Sequence, residues 1–225
     1  MQMTKSPIDV DDVLKKLASE AVKQGENVRS TVRDLTLRAL QARGLSLNQI
    51  RGVLASVTAG ANLGAAKSKT DAAQSLADAV AGMDDALLRA VEASRVTLES
   101  LTDQGVSFND SKLKRALSDL EKLEDQFLDT VKQTSEGATK QVRAQWATVL
   151  QQYQPGGTAS GAEVQSYLTD WGAKVQSAMR DQRNANLKAA HLMTQSFAAL
   201  ANGVLIGLTE GLRRQGADSK GGKRA

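Results

Sequence analysis

The chain has 225 residues, 41% of them hydrophobic and 24% charged, with two Trp, two Tyr, three Phe, two Pro and no Cys. Without cysteine there is no disulfide framework, no thiolate zinc site and no cysteine nucleophile, which agrees with a reducing cytoplasm. The net charge of +4 is dispersed: residues 8–43 carry +1, 46–104 carry −2, 110–152 carry 0 and 162–214 carry +2, so no basic stripe of the kind that tracks a nucleic acid is present.

The N-terminal residues 1–13 contain Lys5, Asp9, Asp11 and Asp12 and no apolar core of a secretory signal. Ser6-Pro7-Ile8-Asp9 reads as a helix start, with Ser at the N-cap, Pro at N1 and Asp in capping-box position. The apolar stripe that follows runs Val10, Leu14, Leu17, Ala21, Gly25, Val28, Val32, Leu35, Ala39 and Ala42, predicting a first helix over about 7–43 that stops at Gly44. Ser46-Leu47-Asn48-Gln49 is a second capping box. So short a turn makes the next helix an antiparallel neighbour of the first.

The second helix is expected over about 47–104. Its first part, Gly52 to Ala66, is uncharged and rich in Gly and Ala, and Gly60-x-x-x-Gly64 reads as a place of close helix approach. Two alternatives stand for 60–70: one long helix kinked near Gly60–Gly64, or a split at Lys67–Asp71 with Thr70 as a new N-cap. The single helix is preferred. Ser107-Phe108-Asn109-Asp110 opens a third helix, about 108–153, with a weak spot at Thr134–Gly137, where poor helix formers gather. Gln154 to Gly161 is the evident loop.

The fourth helix, about 162–214, carries the longest regular signal. Val164, Leu168, Trp171, Val175, Met179, Gln182, Asn186, Ala190, Met193, Phe197, Ala201, Val204, Leu208 and Leu212 fall on one face by alternating steps of four and three. Gln182 and Asn186 are its two polar members and read as a layer that fixes register. Gln215 to Ala225 has no apolar anchor and reads as a flexible basic tail.

The expected architecture is therefore all-α: one domain over 1–214, an elongated up-down-up-down four-helix bundle with a disordered C-terminal tail. Trp146, Tyr153, Tyr167 and Trp171 flank the Pro155 hairpin and are expected to form one filled layer against the small residues of the second helix.

Reactive chemistry is hard to assemble from these residues. His191 is the single histidine, and Glu-x-x-His is absent, so no transition-metal set follows from familiar spacings. Asp84-Asp85 and Glu124-Asp125 are adjacent pairs, which diverge around a helix and do not share a substrate. No catalytic residue, metal, cofactor or small-molecule substrate is expected. The charge-free run Ala189–Thr209 has the length of a bilayer span. It also holds His191, Thr194, Gln195, Ser196 and Asn202, each of which would need a partner in hydrocarbon, so burial within a bundle is the preferred reading.

Narrow, Ala-diluted stripes gain less from closing on one another than Leu-rich ones. They suit an amphipathic protein that lies on an apolar particle or membrane surface. Ala86–Leu101 (ALLRAVEASRVTLESL) and Met193–Leu212 (MTQSFAALANGVLIGLTEGL) resemble, in composition and style, the phasins that coat polyhydroxyalkanoate granules. That resemblance implies a non-enzymatic, cytoplasmic, self-associating surface binder. The basic tail is shorter than the DNA-binding tails of some phasins. A soluble scaffold that binds another helical protein and never opens is the alternative, and a membrane-inserting bundle is a third.

Overall fold

The structure is a computed structural model that describes residues 10–43, 46–68, 71–104, 107, 110–153 and 157–182. The described residues are helical, with no strand, and form eight helices where four were expected.

The first expected helix is two. Helix α1 spans Val10–Gln24 and α2 spans Val28–Arg43. Between them Gly25 and Asn27 adopt φ of 73° and 51°. A helix interior does not hold left-handed residues; Gly enters that region freely, and Asn is among the side chains that tolerate it best. Gly25, read from periodicity as part of the stripe, is the break itself.

Helix α3, Leu47–Ala65, begins on the expected capping box: Ser46 Oγ accepts from the Gln49 N–H, and Gln49 Oε1 accepts from the Ser46 N–H. It runs unbroken through Gly60 and Gly64. The preferred single second helix is corrected here, because α4 starts anew and spans Ala72–Asp103. Its cap is Asp71, whose carboxylate accepts from the Ala73 and Gln74 N–H groups at 3.0 and 3.2 Å. A carboxylate at the N-cap competes locally with helix continuation.

The third expected helix divides into α5 (Ser111–Glu121), α6 (Leu123–Ser135) and α7 (Lys140–Gln151). Asp110, three residues beyond Ser107, caps α5. The gap before α7 follows the weak spot at Thr134–Gly137, and Thr139 caps the restart. Helix α8 spans Ala159–Gln182, so its start lies three residues before the expected one.

The tightest packing joins helices that are not consecutive. Asp11 meets Ser56, Lys15 meets Gly60, and Ser19 meets Gly64, so α1 and α3 lie side by side and run parallel. The close approach expected at Gly60 and Gly64 is found here. A β-carbon on Gly60 would overlap the Lys15 carbonyl oxygen and the Ala18 side chain, and one on Gly64 would overlap the Ser19 carbonyl and Val22. Helix α2 meets α4 in the same manner, with the Arg29 carbonyl against Gly82.

A main core gathers Ala18, Val22, Leu54, Met83, Phe127, Trp146 and their neighbours. A separate, smaller cluster joins Leu98 of α4, Leu113 of α5, and Tyr167 and Trp171 of α8. The single aromatic layer is therefore corrected. Trp146 lies in the main core, with Tyr153 packed against it, while the Tyr167 and Trp171 rings pair at 5.8 Å in the other cluster. The start of α8 faces α4, and α8 then carries its rings along α4 toward α5.

Candidate functional site

The most elaborate polar construction is at the amino end of α8. A helix leaves its first N–H groups without intrahelical partners, and here two carboxylates from other helices supply them. Asp84 of α4 accepts from the Ala159 and Ser160 N–H groups at 2.8 and 3.0 Å. Glu124 of α6 accepts from the Thr158 N–H and, at 2.9 Å, from the Thr158 hydroxyl. Thr158 Oγ1 in turn accepts from the Gly161 N–H at 2.9 Å. The positive end of the helix dipole favours both carboxylates.

Glycines make room for this arrangement. Gly157 holds φ of 70°, and a β-carbon at Gly161 would overlap the Glu124 carboxylate. Asp84, Thr158 and Ser160 are buried, and both Asp84 oxygens are engaged. The arrangement is a mechanical joint between α4, α6 and α8. In the Asp84–Asp85 pair the side chains diverge as expected: Asp85 pairs with Arg29 of α2 at 2.7 and 2.8 Å, while Asp84 meets α8. What the sequence did not reveal is that the first members of two distant pairs converge on one helix end.

Asn62 of α3 is a second joint. Its Nδ2 donates to the Thr134 carbonyl at 3.0 Å, and its Oδ1 accepts from Trp146 Nε1 at 2.6 Å, tying α3 to α6 and α7. At the α4–α8 contact, the Tyr167 hydroxyl and Arg95 Nε are buried without a hydrogen-bond partner among the described residues. Burial, with Glu99 adding to it, pushes the Tyr167 phenol well above its ordinary range, against the opposing pull of Arg95.

Asp11 accepts from Ser56 Oγ at 2.6 Å and pairs with Arg43 at 2.8 Å, joining α1, α2 and α3. The Ser56 hydrogen bond is the largest cause holding the Asp11 carboxyl below the usual carboxylate range; partial burial opposes it, and Arg43 adds to it. A depressed carboxyl stabilises the fold above its unfolded-state value, and that contribution is lost as pH falls through the folded-state value. Asp11 is 47% exposed, so the effect is screened and small, on the order of 0.5 kcal/mol. Asp11→Asn is expected to melt slightly below wild type at pH 7, with the difference shrinking as pH falls below about 4. Thermal melts of both proteins across roughly pH 2.5–7 measure this.

Two surfaces remain. A hollow of about 270 Å³ opens between α2 and α4, lined by Asn27, Val28, Arg29, Ser30, Arg33, Asp78 and Asp85, with the Arg29 guanidinium held by Asp85. The second is on α1, where Leu14, Ala18, Ala21 and Val22 are buried while Val10, Val13 and Leu17 are 52%, 42% and 47% exposed. Spacings of three and four place these three on one side of the helix, beside its buried face.

Of the fourth-helix stripe, Val164 is buried in the main core, with Leu168 packed against it. Trp171 is buried in the smaller cluster, and Val175 packs on it. Met179 and Gln182 belong to the last turns of α8. Asn186, Met193, Phe197, Val204, Leu208 and Leu212 lie outside the described residues, as do His191, the 189–209 run and the 215–225 tail. Among the described residues, no three His, Cys, Asp or Glu side chains group as a metal site, and no helix is long and apolar enough to cross a membrane.

The family model of a family of unknown function, DUF6781, matches residues 3–214. The chain belongs to DUF6781. No curated protein and no solved structure matches it. The DUF6781 match takes in every helix from α1 to α8, so both clusters and both joints fall within the family's span.

Proposed function

We propose that this DUF6781 protein is a non-enzymatic amphipathic helical protein that binds an apolar surface, that of a granule, an inclusion or a membrane, in the manner of a phasin, and associates with itself there. The observation that carries the reading is the apolar side of α1. Its stripe is wider than its footprint on the bundle, leaving Val10, Val13 and Leu17 in solvent next to the buried Leu14 and Ala21. Lys16, Glu20 and Lys23 continue the exposed surface. An arc of aliphatic side chains bordered by charge is what an in-plane helix presents to an apolar boundary.

Flotation on a phospholipid-coated triglyceride emulsion tests the proposal, with the wild-type protein rising with the droplets. In Val13→Asp/Leu17→Asp the affinity for the droplets is expected to fall about thirtyfold, from losing two half-exposed aliphatic side chains at ~1 kcal/mol each. The melting temperature is expected to stay near wild type, because neither residue is buried. A wild-type protein that remains in the aqueous layer would refute the reading.

The alternative, a closed scaffold that docks another helical protein, draws on the two joints. Asp84 and Glu124 on α8, and Asn62 between α3, α6 and α7, are specific to one closed arrangement. A closed scaffold does not float.

A further inference from the structure

We infer that α8 is a latched arm: it is fastened at its amino end by Asp84 and Glu124 and leaves the bundle as a unit, without the rest of the fold melting. Such an arm rests on the surface-binding reading for its purpose, and it supplies the face that opening would expose.

How α8 is held comes first. All the described tertiary bonds to its leading N–H groups come from two carboxylates on two other helices, and glycine at 161 is what admits the Glu124 carboxylate. Such a joint is directional and all-or-none. It fixes position strongly when made and contributes nothing once the helix end has moved by a few ångströms.

What α8 covers points the same way. Beyond Val164, its buried rings belong to the smaller cluster, which shares no buried member with the main core. Tyr167 and Trp171 pack with Leu98 and Leu113, whereas Val22, Leu54, Met83 and Phe127 belong to the main core. Val164 and Leu168 still reach the main core, and Leu120 packs on both clusters, but the rings of α8 do not reach it. A segment whose largest apolar side chains are set apart in this way opens as a cooperative unit of its own.

The seam itself is of low quality. Two buried polar atoms, Tyr167 Oη and Arg95 Nε, are left unpaired among the described residues where α8 lies on α4. The ion pairs alongside, Arg95–Glu163 at 3.1 Å and Lys174–Glu99 at 3.4 Å, are partly exposed and weak for that reason. The seam is therefore poor in its middle and depends on its end.

When the arm opens, Val164, Leu168, Trp171 and Val175 come free on one face of α8, with Leu98 and Leu113 uncovered opposite. An apolar surface is the occupant such a face fits under the functional reading above.

Native-state hydrogen exchange of the full chain, followed peptide by peptide in low denaturant, tests the latch without altering the protein. Amides of α8 are expected to exchange through a separate opening about tenfold or more as frequent as that of α1 to α3. Asp84→Asn/Glu124→Gln turns amide groups toward the helix end, and is expected to speed α8 exchange by a further factor of about ten while α1 to α3 keep their protection. If α8 and α1 to α3 exchange in one common event in the wild-type protein, the arm does not exist. Unchanged α8 protection in the double variant would overturn the latch as well.

A bis-maleimide bridge between Arg95→Cys and Glu163→Cys then closes the arm. Its expected result is droplet flotation reduced to the share that the exposed face of α1 carries, against full flotation of the unbridged variant. Flotation unchanged by the bridge removes the arm from surface binding. A wild-type protein that never floats, yet shows separate α8 exchange, would sink the functional reading and leave the latch standing.

Discussion

Gly60→Ala/Gly64→Ala is expected to lower the stability of the fold by about 2–4 kcal/mol, although alanine is the better helix former. Propensity alone favours the change by ~1 kcal/mol per site. Against it stand two β-carbons that would overlap the Lys15 and Ser19 carbonyl oxygens of α1. A carbonyl within a helix does not rotate aside as a side chain would, so α1 must retreat as a body. Ala18 and Val22, both fully buried, then lose their contact with α3. Overpacking costs ~1–3 kcal/mol per site, and the retreat adds lost burial along the whole contact, so the overlaps win. A drop of roughly 5–15 °C in melting temperature is the corresponding observable.

Gly172 supplies the internal control. Among the described residues, no atom of another helix lies within 4 Å of the position its β-carbon would take, so Gly172→Ala gains helix propensity without a clash. It is expected to raise stability by ~0.5–1 kcal/mol. Opposite signs for the two substitutions would separate helix propensity from helix contact within one protein. A Gly60/Gly64 variant that melts at or above wild type would contradict the α1–α3 contact.

Trp146→Ala carries the other large effect, an expected loss of about 3–5 kcal/mol. Trp146 is 1% exposed in the main core, and its removal opens a cavity there. It also takes away the indole N–H that Asn62 Oδ1 accepts at 2.6 Å. Trp146→Phe keeps most of the ring packing and loses that bond, so a smaller cost of ~1–2 kcal/mol is expected. Urea titrations read both, through a lower midpoint at unchanged slope. Equal costs for the two variants would show that the hydrogen bond, and not the ring, carries the site.

Helical class, the capping box at Ser46, the weak spot before Gly137 and the close approach at Gly60 and Gly64 were all legible in the sequence, because each is a local property or a property of residue size. The number of helices was not. Apolar periodicity continues across Gly25 to Asn27, since Ala21 and Val28 both face the core, and a stripe does not record whether the backbone between its members is helical. Gly25 followed by Asn27 was the available signal, as residues suited to positive φ. Likewise Asp71 and Asp110 outcompeted Thr70 and Ser107 as starting points. Each is the carboxylate nearest the new helix, and a charge gains more than a hydroxyl from the dipole. The joint at α8 was the least legible feature. Asp84 and Glu124 stand far apart in the chain, on helices whose relative placement no spacing rule specifies. Asn62 and Ser56, polar residues inside the small-residue run of α3, were the hints that this run meets something besides aliphatic carbon.

The parallel pairing of α1 with α3 bears on how the chain is made. Asp11 and Ser56 are 45 residues apart, and the same interval separates Lys15 from Gly60 and Ser19 from Gly64. At ~5–20 residues per second of synthesis, α1 waits roughly 2–9 s on the ribosome for the helix that covers it. During that interval Ala18 and Val22 have only α2 for company. Nascent chains halted just short of Gly60 should thus be bound by holding chaperones, and chains halted well past Ala65 should be released.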